Sequence, residues 1–118
     1  MGKRAQRSLE AHHSMDVEQV SQRVKMGDQL SVAREIDHTA YFHSRTDAAA
    51  AAAELREAGY RVDLSRRGFG SILLEAHTLS DVEWETVEAF MPTMYKLIDK
   101  HHGVYDGWGG DVVLKGRE

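Results

Sequence analysis

The chain has 118 residues and no cysteine, which excludes disulfide bonds and thiolate metal sites. Its net charge is −4 and is unevenly spread: residues 1–34 carry six basic and four acidic side chains, whereas residues 35–118 carry nine and fifteen. An acidic body opposes direct docking on nucleic acid, because the phosphates repel it, and favours a partner with a basic surface.

The N-terminal residues 1–14 show no periodicity, so we expect them to be disordered and to precede a single domain over residues 15–118. They lack the apolar stretch of a secretory signal. The longest apolar run, the alanines at 48–53, is far too short to cross a membrane. We therefore expect a cytoplasmic protein that does not contact membranes.

A short helix is predicted over about residues 16–26. Val17, Val20 and Val24 recur there at helical spacing, and Gly27 is a suitable stop. The apolar face is thin, so this helix must depend on the rest of the domain for its stability.

A strand and a helix are predicted next. Residues 34–43 alternate between two kinds of side chain, which indicates a strand with one face in the core. Residues 47–58 are rich in alanine, which favours a helix that can approach a sheet closely. Gly59 is a natural end for that helix.

A hairpin and a second long helix follow. Residues 60–65 and 72–77 alternate and are joined by a short turn with two glycines, which predicts two antiparallel strands. An amphipathic helix is predicted from about Ser80 to His102, with a kink or a split at Pro92. Residues 112–114 then supply a last strand.

This order of elements, a helix followed by βαββαβ, predicts an α+β fold. It is typical of the ferredoxin-like split βαβ arrangement, a four-stranded antiparallel sheet with two helices on one face. Right-handed crossovers place the first and third strands at the centre of the sheet.

The histidines and serines do not form a recognisable catalytic or metal-binding pattern. The chain has seven histidines, but no pair has a spacing that presents two ligands on one face of a helix or strand. It contains no nucleophile elbow. We therefore expect no catalytic residues, no metal and no other cofactor.

Three histidines, His38, His43 and His77, lie on predicted strands. His38 is on the core face of the first strand, where a buried, hydrogen-bonded histidine is favoured over a catalytic one. His77 projects from the opposite face and can lie across from Asp37, although the register of the strands does not follow from the sequence. If the protein binds a small molecule, His38, His77 and Trp108 are the residues expected to line the pocket.

The face of the sheet away from the helices is more apolar than a solvated surface requires. The N-terminal helix, a second copy of the chain or a partner protein would cover it. Its predicted members are Thr39, Tyr41, His43, Leu73, His77 and Val113.

The most distinctive stretch is Tyr-Asp-Gly-Trp-Gly-Gly at residues 105–110. Three glycines permit unusual backbone angles, and Tyr105 and Trp108 each combine a large apolar body with one polar atom. This composition predicts a bend at the entry to the last strand. Asp106 adds a charge that a partner can contact.

With this motif and the order of elements, the chain resembles the family of regulators of ribonuclease E activity B (RraB, the ribonuclease E inhibitor domain). The resemblance covers roughly residues 27–110. It is carried by residues 27–38, by the alanine-rich crossing at 41–60 and, most specifically, by Gly-Val-Tyr-Asp-Gly-Trp at 103–108.

The resemblance implies a non-enzymatic bacterial protein that binds ribonuclease E, inhibits it and alters messenger RNA turnover. Tyr41, Tyr105, Asp106 and Trp108 are the candidate partner-binding residues. The alternative is a ferredoxin-like module that binds a small molecule, dimeric through the face of the sheet away from the helices.

Overall fold

The structure, a computed structural model, describes residues 6–116 of the chain. These residues form three helices and four strands in the order αβαββαβ, an α+β arrangement. None of these helices has the length and apolar character needed to cross a membrane. The elements are α1 Leu9–Lys25, β1 Arg34–Phe42, α2 Arg45–Glu57, β2 Arg61–Arg66, β3 Ile72–Ser80, α3 Trp84–Lys100 and β4 Val104–Gly110.

The four strands form one sheet in the order β2-β3-β1-β4, with every neighbouring pair antiparallel. β1 and β3 therefore lie at the centre, as the sequence predicts. Side chains along β1 alternate between buried and more exposed positions, so Ile36, His38, Ala40 and Phe42 share the buried face. The sheet thus has one face in the core and one open face.

The core lies between the sheet and the helices α2 and α3. Ala48, Ala51 and Ala52 of α2 are completely buried, because their small side chains let the helix approach the strands closely. α3 begins at Trp84, later than predicted, because β3 continues to Ser80. It continues through Pro92 as one helix, so the chain does not split there.

Helix α1 begins seven residues earlier than the predicted helix over 16–26. Ser8 caps it, since the Ser8 Oγ accepts a hydrogen bond of 3.0 Å from the backbone N–H of Ala11. Residues 9–14, which were expected to be disordered, therefore belong to α1. Residues 1–5 of that predicted segment lie outside the described residues.

The stretch at 105–110, predicted as a bend, is itself most of strand β4. The prediction of a last strand at 112–114 is wrong, since these residues follow β4 without strand structure. β4 contains a bulge: Ala40 of β1 pairs with Tyr105, and Thr39 pairs with Gly107, so Asp106 is the extra residue. Gly107 adopts a φ of +119°, which other residues rarely take.

Side chains from the N-terminal part of the chain bind the backbone of β4 along its outer edge. The Tyr105 N–H donates to Gln6 Oε1 at 3.1 Å, and Gln19 Nε2 donates to the Trp108 carbonyl at 3.4 Å. Farther along, Arg23 donates to the Gly110 carbonyl at 2.8 Å. These bonds occupy groups that would otherwise be free to pair with another strand.

A buried ion cluster holds the end of α1 against the start of β1. The Asp28 carboxylate, whose side chain is 0% exposed, accepts hydrogen bonds from Arg23 at 3.0 Å and from Arg34 at 2.9 Å. The backbone N–H of Val113 also donates to it at 3.2 Å. Asp28 therefore joins the end of α1, the start of β1 and the segment that follows β4.

We predict that Gly103→Ala lowers the free energy of unfolding by about 1–3 kcal/mol, because the added methyl group overpacks the core. A Cβ at this position would lie 2.5 Å from Phe42 Cε2 and 2.9 Å from Ile98 Cγ2, and both side chains are buried. Urea unfolding measures the loss. Gly109→Ala on β4 is the control, since its Cβ would meet nothing within 4 Å. Equal stability of the two variants would contradict the prediction.

Candidate partner-binding surfaces

The bulge in β4 explains the spacing of the two aromatic residues in the Tyr-Asp-Gly-Trp motif. In a regular strand, residues three apart point to opposite faces. Because the bulge inserts one residue, Tyr105 pairs with Ala40 and Trp108 pairs with His38, and both partners lie on the buried face of β1. Both aromatic side chains therefore point toward the helices.

The candidate partner-binding residues have very different exposures. Tyr105 is completely buried, so its side chain is a packing group and offers no surface to a partner. Trp108 is half-buried, and Asp106 is exposed. Tyr41 is half-buried on the open face of the sheet, between Leu73 of β3 and Val104 of β4. The structure thus places the predicted residues on two separate surfaces and in the core.

His38 is a buried, hydrogen-bonded histidine, as favoured from the sequence. Its Nδ1 lies 2.8 Å from the Tyr105 hydroxyl, and its ring packs edge-on against Phe90 at 5.2 Å. Burial lowers the pKa of His38 to about 4, so the ring is neutral near pH 7. His77 lies on the opposite face of the sheet, so His38 and His77 do not line one pocket.

The Trp108 side chain connects β4 to α1. Its indole N–H donates a hydrogen bond of 2.9 Å to Asp16 Oδ1. The ring packs edge-on against Phe90 at 5.2 Å, and the guanidinium carbon of Arg23 lies 5.4 Å from its centroid. Three contacts, two from α1 and one from α3, therefore hold the indole in place.

Asp16 is a buried carboxylate of α1 that was not singled out from the sequence. It is 4% exposed, and no described residue forms an ion pair with it. Burial raises the pKa of Asp16 to about 6, while the hydrogen bond from Trp108 and the charge of His13 act in the opposite direction. The negative charge of Asp16 is therefore buried with one hydrogen bond and without an ion pair in the described residues.

A cavity of about 430 Å³ lies between α1 and β4, and we call it the α1–β4 groove. Asp16, Glu18 and Asp106 give its wall three acidic groups. It is lined by His12, Met15, Asp16, Glu18, Gln19, Gln22, Asp106, Gly107 and Trp108. Two of the predicted partner-binding residues, Asp106 and Trp108, thus belong to this groove.

The open face of the sheet carries a cluster of charged residues around His77. The register places Asp37 of β1 opposite His77 of β3, and their side chains meet with Asp37 Oδ1 2.6 Å from His77 Nδ1. Asp63 Oδ2 lies 3.2 Å from the other ring nitrogen. Because carboxylates only accept, both ring nitrogens must donate, and His77 is an imidazolium in this arrangement.

Glu35, Asp37 and His77 also have the composition of a cation site, with one ligand atom from each within 4.8 Å of the others. A metal would have to replace the proton that His77 shares with Asp37. In the described residues, His77 pairs with Asp37 and Asp63, and Glu35 Oε2 lies 3.8 Å from its Nδ1.

We predict that the pKa of His77 lies above its ordinary value of 6.5. Burial opposes the charge, but the hydrogen bond and charge of Asp37 outweigh it. The stabilisation is therefore complete below pH 6.5 and is lost as the pH rises through the folded pKa. In an NMR titration, Asp37→Asn should lower the pKa of His77. Glu75→Gln, which removes the same charge from this face, should change it much less. An unchanged pKa in Asp37→Asn would contradict the assignment.

The rest of the open face is partly apolar, and α1 does not cover it. Rings of His12 and Tyr105 lie 5.1 Å apart, so α1 packs on the face that also carries α2 and α3. The expectation that Val113 lies on the open face is wrong, since its backbone bonds to Asp28 after β4 has ended. Leu79, at 76% exposure, adds an apolar group to this face that was not predicted.

Of the charged and aromatic groups described above, some line the α1–β4 groove and others lie on the open face of the sheet, whereas Tyr105 lies in the core. The family model described as regulator of ribonuclease activity B, RraB, matches residues 13–110, and the chain belongs to this family. The match confirms the resemblance but begins earlier than residue 27, so it includes most of α1. None of the curated proteins compared with the chain matches it.

Proposed function

We propose that this protein is a non-enzymatic regulator that binds a ribonuclease E-type endonuclease in the bacterial cytoplasm and inhibits it, on a ferredoxin-like scaffold. The observation that carries the proposal is the RraB family match over residues 13–110. This range contains most of α1 and all of β4, so it includes every residue that lines the α1–β4 groove except His12.

The charge of the two surfaces supports docking on protein rather than on RNA. The groove carries three carboxylates, and the open face carries four, Glu35, Asp37, Asp63 and Glu75, against two cations, Arg61 and the His77 imidazolium. Acidic side chains repel phosphates and attract basic segments of a protein, which also speeds association at low salt. The regulator would thus act by occupying the ribonuclease and not its RNA substrate.

The test is calorimetry with ribonuclease E from the same organism at two salt concentrations. We expect binding near one-to-one that weakens as salt rises. Asp106→Asn should weaken it further, whereas Glu57→Gln on α2 removes an equal charge outside the groove and should not. Trp108→Ala should also weaken binding, provided that circular dichroism shows an intact fold. Normal binding by the folded variant would show that the assignment of Trp108 is wrong. Absence of binding by the folded wild-type protein would contradict the proposed function.

The second candidate function is a small-molecule-binding module that dimerises through its open sheet face. The observation that favours it is the apolar part of that face, where Leu79 is largely exposed and Tyr41 is half-buried beside Leu73, itself 6% exposed. Sedimentation of the wild-type protein and of Leu79→Glu tests it. A stable dimer that dissociates in the variant would favour this candidate, and a monomer in both cases would exclude the dimer.

A further inference from the structure

We propose that the α1–β4 groove binds the guanidinium group of an arginine side chain from the protein partner, with Asp16 as its counter-ion and the indole of Trp108 beside it. This inference rests on the proposed function, since the arginine is supplied by the ribonuclease. It adds the chemistry of the partner and the position of its anchoring side chain.

The two most buried acids of the described residues, Asp16 and Asp28, differ in their partners. Asp28 receives two arginines and a backbone N–H. Asp16 is equally inaccessible, but its only hydrogen bond among the described residues is the one from Trp108. A buried carboxylate without a cation costs free energy, and residues with such unmet requirements concentrate at binding sites. The carboxylate of Asp16 lacks the cation that the carboxylate of Asp28 has.

The neighbouring arginines, Arg23 and Arg7, already bind other groups. Arg23 lies near Trp108, but its N–H groups donate to Gln19, Asp28 and the backbone of β4. Arg7 forms an exposed pair with Asp106 at 3.5 Å, at the rim of the groove. Neither arginine contacts Asp16. His13 acts on Asp16 only through its charge, without an ion pair in the described residues, so the carboxylate of Asp16 can accept a cation from a partner.

The same wall of the groove contains an acceptor atom, Nε2 of His12, without a hydrogen-bond partner in the described residues. One ring nitrogen of His12 bonds to the backbone of Tyr105, and burial lowers the pKa of His12 so that the ring is neutral. His12 is 1% exposed and lines the groove, and its Nε2 has no hydrogen-bond partner among residues 6–116. A neutral histidine that donates through one nitrogen accepts through the other. The wall therefore presents a carboxylate and a neutral acceptor, which suits a group that only donates.

A guanidinium fits this wall better than an ammonium does. It is planar, stacks beside aromatic rings and presents five donors in a fixed geometry. The groove offers the Trp108 indole as a flat wall and carboxylates at Asp16, Glu18 and Asp106 as acceptors. The cavity volume of about 430 Å³ is sufficient for a side chain of this size.

The first test is an NMR titration of the isolated protein with a capped tetra-arginine peptide, followed through the indole N–H signals. The signal of Trp108 should shift in a saturable way, whereas that of Trp84, which does not line the groove, should change little. A tetra-citrulline peptide keeps the shape of the side chains without the charge and should bind at least about tenfold more weakly. Equal binding of both peptides, or no shift of Trp108 with either, would overturn the inference.

The decisive variant is Asp16→Asn, which keeps the acceptor for the Trp108 N–H and removes the charge. We expect it to weaken binding of tetra-arginine at least about tenfold, and Glu57→Gln to leave binding unchanged. Glu18→Gln, at an exposed position on α1, is the second variant and should weaken binding by a smaller factor. Binding that is unchanged in Asp16→Asn would overturn the inference.

The same variants with ribonuclease E separate this inference from the proposed function. If ribonuclease E does not bind the wild-type protein but tetra-arginine does, the proposed partner is wrong and the arginine site stands. If ribonuclease E binds the wild-type protein and Asp16→Asn equally well, the arginine site is wrong and the proposed function stands. Weakened binding of ribonuclease E by Asp16→Asn, but not by Glu57→Gln, would support both.

Discussion

Replacement of Asp28 by asparagine is expected to lower the free energy of unfolding by about 3–5 kcal/mol, the largest effect of any substitution considered for this protein. The carboxylate of Asp28 neutralises the guanidinium groups of Arg23 and Arg34, whose side chains are 6% and 4% exposed. Asparagine has nearly the same shape but no charge. It would therefore leave two buried arginines without a counter-ion while disturbing the packing very little.

The effect should also depend on pH in a defined direction. Burial alone would raise the pKa of Asp28, but the hydrogen bonds from Arg34 and Arg23 outweigh it and hold the pKa below the ordinary value of 3.8. The stabilisation is therefore complete above pH 3.8 and is lost as the pH falls through the folded pKa. Wild-type protein and Asp28→Asn should consequently become more similar in stability in acid.

Urea unfolding at several pH values measures both effects. The control is Glu35→Gln, since Glu35 forms an exposed pair of 3.4 Å with Arg61, and such pairs contribute about 0–1 kcal/mol. A loss in Asp28→Asn no larger than the loss in this control would show that the cluster is not an important source of stability.

Replacement of Asp16 by asparagine is expected to have the opposite effect and to raise the free energy of unfolding near pH 7 by up to about 3 kcal/mol. Burial raises the pKa of Asp16 to about 6, so the wild-type protein must hold a poorly compensated charge at neutral pH. The amide oxygen of asparagine can still accept the hydrogen bond from Trp108.

The pH dependence again has a definite sign. Because the folded pKa of Asp16 is raised, the native state binds the proton more tightly than the unfolded chain does, and stability falls as the pH rises from 3.8 to about 6. The advantage of Asp16→Asn should therefore be full above pH 6 and absent below about pH 4. Thermal unfolding across this range, with Glu18→Gln as the control on the same helix, tests it. A variant no more stable than wild type at pH 7 would contradict the prediction.

The central part of the fold could be predicted from the sequence because its signals are local. The alternation along residues 34–43 matched β1 to within one residue, and the alanine-rich helix and the hairpin were placed nearly as well. Ile36 and Phe42 alternate with polar residues, so their burial follows from the period of two. The order of the strands followed from the preference for right-handed crossovers.

The two ends of the fold could not be predicted because they depend on contacts distant in sequence. α1 buries His12, Asp16 and Arg23, which carry no apolar signal, so its first turns had no recognisable face. β4 has three glycines and a bulge that interrupts the alternation. The motif identified Trp108 and Asp106 as candidate residues. Asp16, which lies 92 positions from Trp108, had no local signal that could have indicated it.

The pairing of α1 with β4 has a consequence for synthesis of the protein on the ribosome. Helix α1 is synthesised before β4, which it borders, and the other three strands are made in between. The hydrogen bonds of Gln6, Gln19 and Arg23 to the backbone at residues 103–111 can therefore form only after that segment has left the exit tunnel. During that interval β1 has one unpaired edge, which is a template for another chain. Folding of this domain is thus completed by its two ends meeting, and a chain that stalls before Val104 presents an incomplete sheet.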